Sequence, residues 1–520
     1  MAKDGGHPWW RGAVIYQVYV RSFFDSNGDG HGDLRGVEAK LDYIASLGVD
    51  AVWLSPIHPS PNLDWGYDIS DYTGVHPDYG TLEDFDRLLA AAHARGVRIL
   101  LDEVLAHTSD QHLWFSDSIA RGRCEDWYVW ADPKAEGGPP NNWLSSFGGL
   151  AWTFCEARGQ YYHHKFLPQQ PKLNWLNPEA RQAALDVLDF WLKRGVDGFR
   201  LDVAGALVHD PALADNETGP DRSQIHRHDA NRPDNIAVLD EVRRLVESHG
   251  PDRFVLGEFF EEPELAGGFA APHEGVHSAY TFPILLSDDL GVIREHYEGV
   301  LARHPEHWPS IAFSNHDVKR APSRFGGETP PAGLAELLLA LQMSLKGTIL
   351  LYQGEELGLP QAEVPPDRRR DPLLEVNRLS TGRDGSRTPM PWGGGHNLGF
   401  SRGQPWLPAA GEHAGRTARR QDQNPFSTLT LARELIALRN AAPALRLGDI
   451  RFVDSTPGVL SFLREYEGEA VRCDFNLGDA VAVVDGEPLA AGRFRISKSA
   501  TAPARRPRRR KASPDQRVSG

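Results

Sequence analysis

Short, nearly unbroken apolar runs rich in Val, Ile and Leu recur along the chain, and each closes on polar or charged residues. They are AVIYQVYV (13–20), AVWLSPI (51–57), VRILLDEV (97–104), VDGFRLDVA (196–204), RFVLGEF (253–259), SIAFSNHD (310–317) and TILLYQGEE (348–356). Between most of them apolar residues recur at helical spacing, as in GVEAKLDYIASLG, LEDFDRLLAAAHARG and EARQAALDVLDFWLKRG, and these segments end in Gly. Strand, helix and strand in such alternation predict parallel βαβ units. With an eighth strand in SAYTFPILL (278–286), the pattern predicts an α/β fold, a (β/α)8 TIM barrel whose catalytic groups lie at the C-terminal strand ends. A doubly wound open sheet would need a phosphate-binding Gly loop after the first strand, and none follows it.

The pattern also predicts where the barrel is interrupted. Residues 104–172, rich in Trp, Gly and Pro as in NNWLSSFGGLAWTF, are too long for one crossover and read as a subdomain inserted between barrel parts 1–103 and 173–444. From 445 to 500, short alternating segments such as GVLSFLREY predict a C-terminal antiparallel β domain. Residues 501–520 read as a disordered basic tail.

Composition narrows the function. The chain has 520 residues, 40% of them hydrophobic, which suffices for a large core. With 56 basic and 71 acidic residues its formal charge is -15, which argues against a nucleic-acid partner and against anionic membrane surfaces. Cys124, Cys155 and Cys473 are odd in number and widely spaced, so no disulfide framework is expected. The start of the chain lacks the basic and apolar regions of a secretory signal, and no stretch is long enough to span a bilayer. These features together lead to the expectation of a cytoplasmic enzyme.

In GFRLDVAG (198–205), Arg200 and Asp202 stand two apart in a strand, hence on one face. They are either one ion pair or two groups aimed at the same chemistry. Asp102, Asp202, Glu258 and Asp317 all close apolar runs, so a barrel gathers them at one mouth. Glycosidic cleavage with retention needs a carboxylate nucleophile and a carboxylic acid about 5–5.5 Å apart. Asp202 beside a cationic Arg200 suits the nucleophile. Glu258 in VLGEFF, among apolar and aromatic neighbours that favour a protonated carboxyl, suits the acid.

LDEVLAHTSDQH, GFRLDVA, LGEFF and FSNHD, in that order, together with GYDISDY, QPKLNWLNPEAR and GRDGSRTPMPW, resemble the α-amylase superfamily of glycoside hydrolases, in its α-glucosidase and oligo-1,6-glucosidase branch. The resemblance covers nearly the whole chain apart from the basic tail. It implies Asp202 as nucleophile, Glu258 as acid/base, Asp317 as a carboxylate supporting the transition state, and Arg200 as the residue orienting Asp202. It implies further that His107 and His316 bind hydroxyls of the glycone. Asp68 would hold a terminal glucose with Tyr67 as its platform, and Arg383, rather than Arg387, would join Asp68. That end-recognition implies exo-action on small α-glucosides, with no organic cofactor.

Two departures from the family pattern stand out. Ala106 replaces the usual Asn before His107, so the structural calcium that Asn binds in many relatives is not expected there. The interval between Asp202 and Glu258 is short, which leaves the leaving-group preference open. Asp25, Asn27, Asp29 and Asp33, with the His31 carbonyl, recur at alternate positions in DSNGDGHGD and suit a structural Ca2+ or Mg2+. In this branch Val next to the nucleophile goes with α-1,6 bonds and Ala or Thr with α-1,4, so Val203 leans the reading to α-1,6 and leaves maltose-type α-1,4 activity open. A transglucosylase using the same residues stays open as the close rival; a catalytically inactive barrel is disfavoured because all three acids are present.

Overall fold

The structure, a computed structural model, describes residues 6–220, 223–260, 263–376 and 382–499; the basic tail at 501–520 lies outside them. Eight parallel strands form the centre: β1 (Val14–Val18), β2 (Ala51–Leu54), β3 (Arg98–Glu103), β4 (Gly198–Leu201), β5 (Phe254–Phe259), β6 (Ser278–Thr281), β7 (Ser310–Ala312) and β8 (Thr348–Tyr352). Their hydrogen-bonded order, β6-β5-β4-β3-β2-β1-β8-β7, follows the chain around a barrel. At the break between β6 and β7, Ser278 Oγ and Ser310 Oγ meet at 2.8 Å. The strands are buried almost throughout, which is why they read as continuous apolar runs.

Local chemistry sets the element ends. Helix Leu82–Ala94 starts at a capping box in which Thr81 and Asp84 satisfy each other's backbone N–H. Helix Pro178–Arg194 starts under the Asn177 side chain and stops at Gly195, whose φ of 106° is left-handed. Two expectations are adjusted. GVEAKLDYIASLG forms two short helices, Leu34–Ala39 and Leu41–Ser46, broken at Lys40. There the Lys40 ammonium packs over the rings of Phe24 and Trp392, 4.1 and 4.4 Å from their centroids. In SAYTFPILL the strand is confined to Ser278–Thr281, and Pro283, which has no N–H for a ladder, opens helix Pro283–Leu286.

Between β3 and β4 the chain builds helix Leu113–Ile119 and a three-stranded antiparallel sheet of Trp130–Ala131, Gln160–His163 and Trp152–Cys155. After the barrel, β9 (Asp449–Val453), β10 (Val459–Tyr466), β11 (Glu469–Asn476) and β12 (Phe494–Lys498) form an antiparallel sheet. Among the described residues no helix is long and apolar enough to cross a membrane.

At the C-terminal end of β3, Glu103 lies 3.2 Å from His58, and both side chains are fully buried. Burial works against a charged His58, but the adjacent Glu103 outweighs it and raises the imidazole pKa. A buried pair is costly to break because the surviving charge is left in a dry interior. His58→Leu is expected to lower unfolding stability by about 3–5 kcal/mol, and His58→Leu with Glu103→Leu to recover most of it, measured by urea midpoints. Because the folded pKa is raised, His58's contribution is complete below its unfolded value of about 6.5 and fades as pH climbs through the folded one. A pH scan of the wild-type and His58→Leu midpoints should therefore converge toward alkaline pH.

Candidate active site

β4 places Arg200 inside the barrel, in register with Asp102 on β3 and Leu256 on β5. The fully buried guanidinium donates from Nη1 to Asp102 Oδ1 at 2.6 Å and to Asp202 Oδ1 at 2.7 Å. Its Nη2 pairs with Glu258 and also reaches Tyr280 Oη at 3.1 Å. Both readings of GFRLDVAG therefore hold: Arg200 is paired, and it is paired with groups that share one mouth. Asp102, Asp202 and Glu258 thus surround a single cation.

One guanidinium cannot neutralise three buried carboxylates, so the cluster retains a proton more readily than isolated acids do. Burial raises Asp202 well above the usual carboxylate range; Arg200 opposes it, while Glu258 and Asp102 add to it. Asp102 is pushed up to about 6, mainly by burial against the pull of Arg200. Glu258 does not sit in purely apolar surroundings as its sequence neighbours suggested. It accepts from Tyr280 Oη, from Arg200 and, at 3.2 Å, from the Val203 backbone N–H. Its partner Tyr280 stands level with it on β6.

The loop after β7 carries the second focus. Asp317 Oδ1 accepts from Arg387 Nη2 at 2.8 Å and Arg383 Nη1 at 3.1 Å, and His316 Nε2 lies 3.1 Å from its Oδ2. Burial disfavours its charge, yet His316, Arg383 and Arg387 hold Asp317 well below the usual carboxylate range. His316 is lowered to about 3 and His107 to about 4, both mainly by burial, so each imidazole is neutral at pH 7. Tyr67 stacks on His316 at 5.1 Å with 6° between the rings, and its hydroxyl donates to Asp102 Oδ2 at 2.9 Å. His107 Nε2 sits 2.9 Å from the Tyr67 carbonyl and 3.1 Å from Gln170 Nε2.

Asp202, Glu258 and Asp317 lie in the wall of one cavity of about 370 Å3 beside Tyr67, His107 and Arg383, whereas Arg200 and His316 are fully buried and do not line it. Asp68 is not in that wall. Its carboxylate accepts from Ser60 Oγ and from the Leu63 and Asp64 backbone N–H groups, so it closes its own loop. Asp64 takes the expected place instead: it lines the cavity and accepts from Arg383 Nη2 at 2.7 Å. Arg383 is the arginine that bridges Asp64, Asp317 and Asp371, whereas Arg387 stays buried behind Asp317. Asp64, Tyr280 and Gln170 were not singled out from sequence. Asp64 stands only three residues before Tyr67, and no local pattern separates it from Asp68.

The loop from Asp25 to Asp33 is folded on itself. Asp25 accepts the N–H groups of Asn27, Gly28 and Gly30 and the Ser401 hydroxyl; Asp33 caps the next helix at Gly36 and takes Ser26. Asn27 and Asp29 each accept the N–H two residues on, and the His31 ring meets Arg21. Among the described residues no three His, Cys, Asp or Glu side chains converge as a metal cluster. The oxygen donors themselves are of the kind that binds hard cations.

Known proteins resemble this chain over most of its length. Residues 17–448 match the family described as alpha amylase, catalytic domain. A probable alpha-glucosidase of Rhizobium meliloti (strain 1021) is 45% identical over 501 residues, covering 91% of this chain and 90% of that protein. An oligo-1,6-glucosidase of Heyndrickxia coagulans is 36% identical over 522 residues, covering 92% and 93%. The crystal structure of an alpha-glucosyl transfer enzyme, XgtA, superposes with a TM-score of 0.91 at 43% identity, covering 95% of this chain and 99% of that one. The chain belongs to the alpha-amylase family of glycoside hydrolases.

Proposed function

We propose that the chain is a retaining, exo-acting α-glucosidase that releases α-glucose from short α-glucosides. The observation that carries this reading is the pairing of Asp202 and Glu258 on one buried guanidinium, in a cavity that also holds the Asp64–Arg383 bridge. Asp202 attacks the anomeric carbon while Glu258 protonates the departing oxygen, giving a β-glucosyl enzyme. Glu258 then takes a proton from water, which attacks the same carbon and restores the α configuration. Asp317, held ionised by its two arginines, accepts ring hydroxyls and favours the positively charged transition state. The neutral imidazole of His107, in the cavity wall, can exchange hydrogen bonds with hydroxyls, while His316 supports Asp317 from behind. The names of the two α-glucosidase relatives support the substrate class.

Asp202→Asn is expected to lower kcat on maltose by roughly 10^4-fold or more. Proton NMR of the wild-type reaction should find α-glucose as the first anomer released; β-glucose first would overturn retention. Asp64 and Asp68 should behave as opposites. Asp64→Ala is expected to cut kcat/KM by roughly 100-fold, whereas Asp68→Asn, in its own loop, should lower Tm with a much smaller kinetic effect.

We propose as well that the Asp25–Asp33 loop takes a structural Ca2+ or Mg2+ through Asp25, Asn27, Asp29, the His31 carbonyl and Asp33. Such a cation would brace the loop and take no part in bond cleavage. Millimolar CaCl2 or MgCl2 is expected to raise Tm by several degrees over EDTA, since a ligand of the folded state stabilises it. Equal Tm values would mean that the loop's own hydrogen bonds suffice.

A further inference from the structure

The segment that follows the nucleophile is unusual in its backbone. Val203 has φ 41° and ψ 46°, a left-handed conformation that a β-branched residue adopts only where its surroundings impose it. The N–H of this residue donates to Glu258 Oε2, 3.2 Å away, just where the chain turns. A single 3-10 turn, Ala204–Ala206, comes next.

What imposes the turn is visible in its carbonyls. Ala204 O accepts from Asn235 Nδ2 at 2.8 Å, and Gly205 O from the Asn231 N–H at 2.7 Å. The Lys172 ammonium supplies the next two, donating to Ala206 O and, at 3.0 Å, to Leu207 O. Lys172 is 1% exposed, and among the described residues no carboxylate lies within ion-pair distance of it. The nearby Asp229 is already held by Lys165 at 2.9 Å. Burial, and then Lys165, push Lys172 down to about 7. Lys172 belongs to the inserted segment, where its backbone bridges to His107 after β3. A buried cation is expensive, and here it is spent on two backbone carbonyls of the loop behind the nucleophile.

We propose that Lys172 is a positioning residue for acid catalysis: by clamping Ala206 O and Leu207 O it fixes the left-handed turn at Val203 and thereby the orientation of the Glu258 carboxyl. The proposal rests on the reading of Glu258 as acid/base. A fold-wide structural role and a positioning role differ in their dependence on the leaving group. Methyl α-glucoside departs as an alkoxide that needs the proton of Glu258, whereas 2,4-dinitrophenolate leaves unaided.

The test measures kcat/KM for methyl and 2,4-dinitrophenyl α-glucosides in the wild type, Lys172→Met and Lys172→Arg, with Tm for each. Lys172→Met is expected to lower the methyl value by roughly 100-fold and the dinitrophenyl value by less than about tenfold. Lys172→Arg, which keeps donors for both carbonyls, should recover part of the methyl value and so narrow the gap between the two substrates. Equal losses on both substrates, or no loss on either, would overturn the proposal. Where Lys172→Met fails to fold, Lys172→Gln, which keeps one donor group, is read by the same ratio against the same criterion. A wild-type chain that releases glucose from neither substrate would overturn the underlying α-glucosidase reading instead.

Discussion

The structure turns on one guanidinium. Arg200 is fully buried in the barrel wall, and a cation there is tolerable only with anions around it. Asp102, Asp202 and Glu258 supply them from β3, the end of β4 and β5, so three neighbouring strands are fixed to one point by charge as well as by their ladders. The excess of carboxylates over cations is equally consequential. It favours retention of a proton somewhere in the cluster.

A second charge arrangement shapes the other side of the cavity. Arg383 joins Asp64, Asp317 and Asp371, so residues far apart in the chain set one wall. Such a wall offers hydroxyl-sized acceptors and donors beside the Tyr67 and His316 rings, which are stacked on each other. Hydrolases and a glucosyl transfer enzyme both occur among the similar proteins.

Much of this was legible along the chain because the barrel repeats one physical unit. Continuous apolar runs identified strands buried on both faces, and acids at their ends identified the mouth. Legibility failed where local pattern was silent. Asp64 and Asp68 flank the same Trp-Gly-Tyr stretch, and only the closing of the loop onto Ser60 commits Asp68 to its own backbone. The helix of sound periodicity breaks at Lys40, whose ammonium packs over Phe24 and over Trp392, the latter distant in sequence. The surroundings of Glu258 were misjudged from its neighbours Gly257 and Phe259, since Tyr280 and Arg200 arrive from the adjoining strands.

The sequence by itself determined the barrel and the C-terminal sheet and placed Asp102, Asp202, Glu258 and Asp317 at strand ends, since periodicity and strand-end charge are local properties. The tertiary structure alone decided which carboxylate meets Arg383, how many acids share Arg200, and what holds the turn at Val203. Those are contacts between strands and loops far apart in the chain. Their energies depend on distance and burial in space, which no spacing along the chain encodes.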